Sequence, residues 1–172
     1  VSVTNLTHGN HFTPLLIAAH TSDSHLFHVG EMATPALQKM AEGGDIADLN
    51  TAVIGANGIT STNPAMGLLA AGASINDVML DTGDNTHLSI VAMVLPTNDA
   101  FIGLDSWKIP TEAGTYTVYV NAYDAGTEAN DEIINGGGMP GVAGIPAAPG
   151  GDGGSNGTGV MDGEDNMDVH TH

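Results

Sequence analysis

The sequence predicts a mostly β chain of antiparallel strands with one or two short helices, and three observations carry that prediction. Period-two runs such as Val118-Tyr119-Val120-Asn121, and short apolar runs such as Leu15 to Ala19 and Leu88 to Leu95, have strand length and end at Gly, Pro, Asn or Asp turns. Helical spacing is confined to the stretch from Thr34 to Val53. Of 172 residues, 41% are apolar, which is enough to bury a core within one domain.

In chain order, Val1, Val3 and Leu6 open a first strand, and Leu15 to Ala19 after Pro14 form a buried one. Thr21-Ser22-Asp23-Ser24 reads as a turn. Thr34 is a cap-like residue, Pro35 suits the first helical position, Leu37, Met40 and Ala41 share a face, and Gly43-Gly44 stops the helix. Met40 therefore belongs to the core. Asp45 to Val53 continues as a second helical turn with Ile46, Leu49 and Val53 on one side. Gly55 to Gly72 reads as loop, with turns at Asn57-Gly58 and Asn63-Pro64. Ala73 to Leu80 is strand-like, and a polar turn from Asp81 leads to His87 at the mouth of the Leu88–Leu95 strand. Pro96-Thr97-Asn98-Asp99 turns the chain into a strand running to Ile109, with Trp107 as core or edge packing. Thr115 to Tyr123 returns antiparallel after a turn at Thr111 to Gly114. A hairpin with matched arms brings its open ends together, so Asp99 and Asp124 should meet.

Charge narrows the function. Two Lys, no Arg and twenty acids give a net charge of -18, which repels nucleic acid and anionic lipid and attracts cations. Cysteine is absent, which excludes disulfides and thiolate metal sites. No apolar run approaches the roughly 20 residues of a membrane span. The chain opens V-S-V-T, a strand pattern, so an export signal is not expected within it. A Cys nucleophile, G-x-S-x-G and phosphate-binding loops are all missing, and aromatic residues make up only 4%. A non-enzymatic protein is expected.

Two groups of residues invite metals. Asp124, Glu128, Asp131 and Glu132 crowd the end of a strand with no nearby cation in sequence. Hard oxygen donors on a loop suit calcium, although such acids also fit a solvated loop. Histidines form the second group: His8, His11, His20, His25 and His28 near one end, His87 at a strand mouth, and His170 and His172 near the other. Imidazole suits copper or zinc, and a two- or three-histidine subset is the candidate site. His20 could equally be a satisfied polar group of the core. If their segment were extended, His25 and His28 would face opposite ways, whereas the turn at Thr21 to Ser24 could set His20 beside one of them. His87 with one N-terminal histidine would give a copper(I) pair, and in a strand His170 and His172 would share a face.

Four segments in order, V-S-V-T-N-L-T-H-G-N-H-F-T-P-L-L-I-A-A-H, L-F-H-V-G-E-M-A, L-P-T-N-D-A-F-I-G-L-D and Y-D-A-G-T-E-A-N-D-E, resemble the spondin N-terminal domain found in secreted proteins. The closing D-N-M-D-V-H-T-H is similar to the end of bacterial members. The resemblance implies an antiparallel, spondin/C2-like β-sandwich over 1–134. It also implies that the glycine-rich segment and acidic, His-bearing tail of 135–172 return to the sheet or to a neighbouring subunit. It further implies a calcium site at Asp99, Asp124 and Glu128. Ala100 stands where the family usually has Trp, and Glu128 where Asp is common. The expected function is a secreted, periplasmic or cell-surface module that binds calcium and acts in adhesion, matrix contact or self-assembly, including filaments that clasp a metal between subunits. The alternative is a periplasmic or extracellular copper- or zinc-handling protein.

Overall fold

The computed structural model describes residues 1–128 and 168–171. The glycine-rich segment expected from 135 onward, Asp131, Glu132 and His172 lie outside those residues, apart from the short stretch 168–171.

The described chain is mostly β, with two antiparallel sheets and two short helices. Its strands are β1 (Val3–Thr4), β2 (His11–Phe12), β3 (Leu16–His20), β4 (Ile59–Thr62), β5 (Ser74–Ile75), β6 (His87–Leu95), β7 (Ala100–Lys108), β8 (Asn121–Asp124) and β9 (His170–Thr171). Helices α1 (Pro35–Gly43) and α2 (Ala47–Gly55) fall between β3 and β4. The large sheet runs β4-β3-β6-β7-β8-β9 with β2 added along β6, and β1 pairs with β5 in a separate small sheet.

Side chains alternate across the large sheet, so each face has its own core. On one face Leu16, Ala18, Val91, Met93 and Phe101 pack against Leu37, Met40, Leu49 and Val53 of the helices. On the other, Ile17, Leu88, Ile90, Val94 and Ile102 meet Val3 and Ile75 of the small sheet. A sheet buried on both faces explains why β3 and β6 read as continuous apolar runs rather than alternating ones. Capping fixes α1: the Thr34 side chain accepts a hydrogen bond from the Leu37 N–H, and Gly44 closes the helix with φ +69°.

Three expectations change in detail. The stretch 55–72 contains β4, which pairs with β3 from Leu16↔Thr62 to Ala19↔Ile59. As a half-exposed edge strand, Ile-Thr-Ser-Thr lacks the apolar alternation that reveals a strand. The strands expected over 73–80 and 115–123 shrink to β5 and β8. Residues 115–120 form no ladder with the described residues, and Tyr116, Val118 and Tyr119 are exposed.

Two features of β7 position the acids and the histidines. At its start β7 meets β8 in the register Ala100↔Asp124 to Gly103↔Asn121. Further along, the β6–β7 register shifts between Leu88 and Ile90, so that Leu88 faces Trp107 while Ile90 faces Leu104. There Asp105 and Ser106 together lie opposite the single Ser89, a bulge of one extra residue, and Ser106 takes φ +48°.

Candidate functional site

The acids meet at the end of the β7–β8 pair. The backbone of Ala125 donates to the Asp99 carbonyl at 3.3 Å, beside the Ala100↔Asp124 register pair. Both aspartates are buried, Asp99 to 1% exposure and Asp124 to 3%. Gly126, at φ +69°, turns the chain so that its N–H donates to Asp124 Oδ1 at 2.7 Å. That turn also aims the next two amides at Asp99: the N–H groups of Thr127 and Glu128 donate to Asp99 Oδ2 at 2.8 and 3.1 Å, joined by the Thr127 hydroxyl at 3.3 Å.

All three donors converge on one oxygen. Asp99 Oδ1 is buried and has no hydrogen-bond partner. Burial and the negative charge of Asp124 hold the Asp99 carboxyl above the usual carboxylate range, although the Thr127 and Glu128 amides pull the other way. An isolated buried carboxylate oxygen is costly, and a bound cation would remove the cost by neutralising both acids. Asp99 and Asp124 are thus the residues that could hold calcium, which takes carboxylate, carbonyl and water oxygens together. Glu128 contributes its amide to the cluster, while its side chain is half-buried. Asp99, Asp124 and Glu128 are not drawn together tightly enough to form a ready three-carboxylate cage.

The tail arrives at the same corner. β9 pairs with β8 in the register Asp124↔His170 and Tyr123↔Thr171, and Val169 is buried in the helix-side core. His170 Nδ1 lies 3.0 Å from the Asp168 carbonyl.

The N-terminal histidines separate into distinct environments. His20 is buried and both ring nitrogens are engaged, Nδ1 at 2.8 Å from the Thr21 carbonyl and Nε2 at 2.7 Å from Ser89 Oγ. A ring protonated on Nδ1 satisfies every partner: the Ser89 hydroxyl donates to Nε2 and accepts from the Ser106 N–H at 2.8 Å. That makes His20 a polar core group. His87 is its register partner, with ring centroids 6.4 Å apart, and its Nδ1 is 2.9 Å from the Thr86 hydroxyl. His20 engages Ser89 and lies beside His87, and it is not among the donors that gather at His25 and His28. His8 is exposed and His11 half-buried; the His11 Nδ1 is buried without a hydrogen-bond partner.

His25 and His28 do come together, because their segment turns instead of extending. Their ring centroids lie 4.3 Å apart, and His25 Nδ1 is 3.0 Å from Asp105 Oδ2. Among the described residues, His25, His28 and Asp105 form the group of three ligating side chains whose donor atoms all lie within 4.8 Å of one another. Sequence reasoning missed Asp105. Leu104 and Trp107 pack on one face although three apart, so a bulge intervenes and redirects the acid between them, which the sequence does not mark.

Among known proteins, a family model described as Spondin_N matches residues 4–132. No curated protein matches the chain.

Proposed function

The chain belongs to the spondin N-terminal domain family, and from that premise we propose that it is a non-catalytic, calcium-binding module of the cell exterior. The family is one of secreted, extracellular domains. No helix among the described residues is long and apolar enough to cross a membrane.

The observation that carries the calcium reading is Asp99 Oδ1, a buried carboxylate oxygen left without a donor beside a second buried aspartate. Asp99 and Asp124 would hold the ion, with Glu128 as a further candidate ligand. Calcium would bring positive charge to this acidic corner and tie the 124–128 turn to the start of β7. With the turn fixed, the module acts by contact, in adhesion, matrix association or self-assembly. The exposed Tyr116, Val118 and Tyr119 support that role, since exposed aromatic and aliphatic groups are what contact surfaces use.

Thermal melts in EDTA and in calcium test the site. A ligand at one hundred times its dissociation constant stabilises by about 2.7 kcal/mol, or roughly 5–10 °C for a domain of this size. Calcium should raise the wild-type melting temperature by that order and leave Asp124→Ala unmoved. Equal calcium affinity in wild type and Asp124→Ala would remove the proposal.

A further inference from the structure

We propose that His25, His28 and Asp105 form a separate binding site for a divalent ion of the zinc and copper class. The site shares no residue with the acidic corner and differs from it in chemistry. Two imidazole nitrogens and one carboxylate oxygen are a borderline donor set, which favours zinc or copper(II) over calcium. Three protein donors leave further coordination positions for water.

The fold holds each donor from behind. Leu26 and Phe27, between the two histidines, are buried at 5% and 3% exposure and anchor the turn that carries them. Phe27 packs edge-on against Phe101 at 5.1 Å and against Tyr123 at 5.0 Å. Gly103 leaves the room that this ring occupies, for a Cβ there would lie 2.6 Å from Phe27 Cζ. Two residues further along the same strand, the bulge presents Asp105 to the histidines. Ser106 holds the bulge in place through its N–H bond to Ser89, which is itself bonded to the buried His20. One carboxylate oxygen of Asp105 faces His25, while Oδ1 is buried and has no hydrogen-bond partner.

Such an arrangement exceeds what a surface ion pair needs. An exposed histidine–aspartate pair contributes little to stability and gives no reason for a second imidazole to sit at 4.3 Å from the first. A shared ion explains both the crowding of the rings and the open valence of Asp105. Donor atoms within 4.8 Å of one another need only small side-chain rotations to reach the roughly 2.0–2.2 Å bonds of zinc. The net charge of -18 raises the concentration of cations around the whole surface.

The test is zinc binding by the full chain in buffer that keeps calcium present, measured by calorimetry and by cobalt(II) absorption as a spectroscopic stand-in. One tight equivalent is expected in wild type, with cobalt bands typical of nitrogen ligation. His25→Ala, His28→Ala and Asp105→Asn should each weaken that equivalent at least tenfold while the calcium response stays unchanged. The two histidines are exposed, so their variants should fold, and unchanged melting in EDTA confirms it. Zinc affinity that survives the His25→Ala, His28→Ala double variant assigns the ion to other histidines and overturns the proposal, as does a wild type that binds no zinc.

Discussion

The acidic corner adjoins the start of β7 and the histidine rim adjoins the bulge at Asp105 and Ser106 further along it, and the two differ in burial. At the corner, Asp99 and Asp124 are out of solvent, one carboxylate oxygen is saturated by three donors, and the other has none. At the rim, His25 and His28 are exposed, and Asp105 is only half-buried. The difference sets how strongly an ion would couple to folding. A buried charge must be neutralised for the fold to be comfortable, so the corner's ion and the protein's stability are linked. The two imidazoles are solvated without an ion and only the Asp105 carboxylate carries a buried, unpartnered oxygen, so an ion at the rim would couple to the fold less strongly than one at the corner. If both proposals hold, one strand supports a site that stabilises and a site that responds.

Phe27 gives the largest expected effect, because it underlies both regions. Its ring touches Phe101, two residues from Asp99, and Tyr123, next to Asp124, while its backbone carries the His25–His28 turn. Phe27→Ala should cost about 3–5 kcal/mol, since truncating a fully buried ring leaves a cavity. Calcium and zinc responses should weaken together. Denaturant unfolding with both ions titrated would check it; loss of one response with the other intact would show that the regions lack the common support assigned here.

A pair of substitutions at Asp99 separates charge from hydrogen bonding. Asp99→Ala strips the Thr127 and Glu128 amides of their acceptor and should cost about 1–3 kcal/mol, with water reaching the half-exposed turn limiting the loss. Asp99→Asn keeps an acceptor and removes the repulsion by Asp124, so in EDTA it should melt at or above wild type. Both should lose the calcium response and keep zinc binding at the rim. If Asp99→Asn melts well below wild type in EDTA, the charged carboxylate is stabilising as it stands and the corner needs no cation.

Much of the fold is legible in the residues themselves. The continuous apolar runs of β3 and β6 signal a sheet covered on both faces, and Thr34-Pro35 with Gly43-Gly44 frames α1 to within a residue. The meeting of Asp99 with Asp124 follows from hairpin arithmetic, because antiparallel pairing fixes which ends touch. What escapes is irregular. The alternation from Thr115 to Val120 describes a strand, but β pairing needs a partner at the right edge, and alternation alone does not supply one. The His25–His28 contact requires a turn that local spacing does not specify, since the burial of Leu26 and Phe27 is a tertiary fact. Asp105 is hidden by a bulge, which changes the direction of a side chain without leaving an obvious mark on composition.

The smallest expected effect, and the sharpest on the corner, is pH dependence. In the ion-free fold, burial and Asp124 raise the Asp99 pKa above its unfolded value. The folded state then holds its proton more firmly than the unfolded state does, so this group destabilises the fold when ionised, above the raised pKa. Lowering the pH through that raised value toward the ordinary carboxylate range relieves the penalty, and below the ordinary range nothing further changes. In EDTA, wild type should therefore gain stability relative to Asp99→Asn as mild acid is approached. A tenfold difference in proton affinity is worth about 1.4 kcal/mol, which sets the scale. Calcium favours the charged form, so with calcium bound the folded pKa falls below the unfolded one and the sign reverses: stability is present at neutral pH and is lost as the carboxylate protonates. Melting both proteins across the acid range, with and without calcium, measures the two slopes. Opposite signs place the ion on Asp99, whereas parallel slopes leave the buried oxygen without the cation that its surroundings call for.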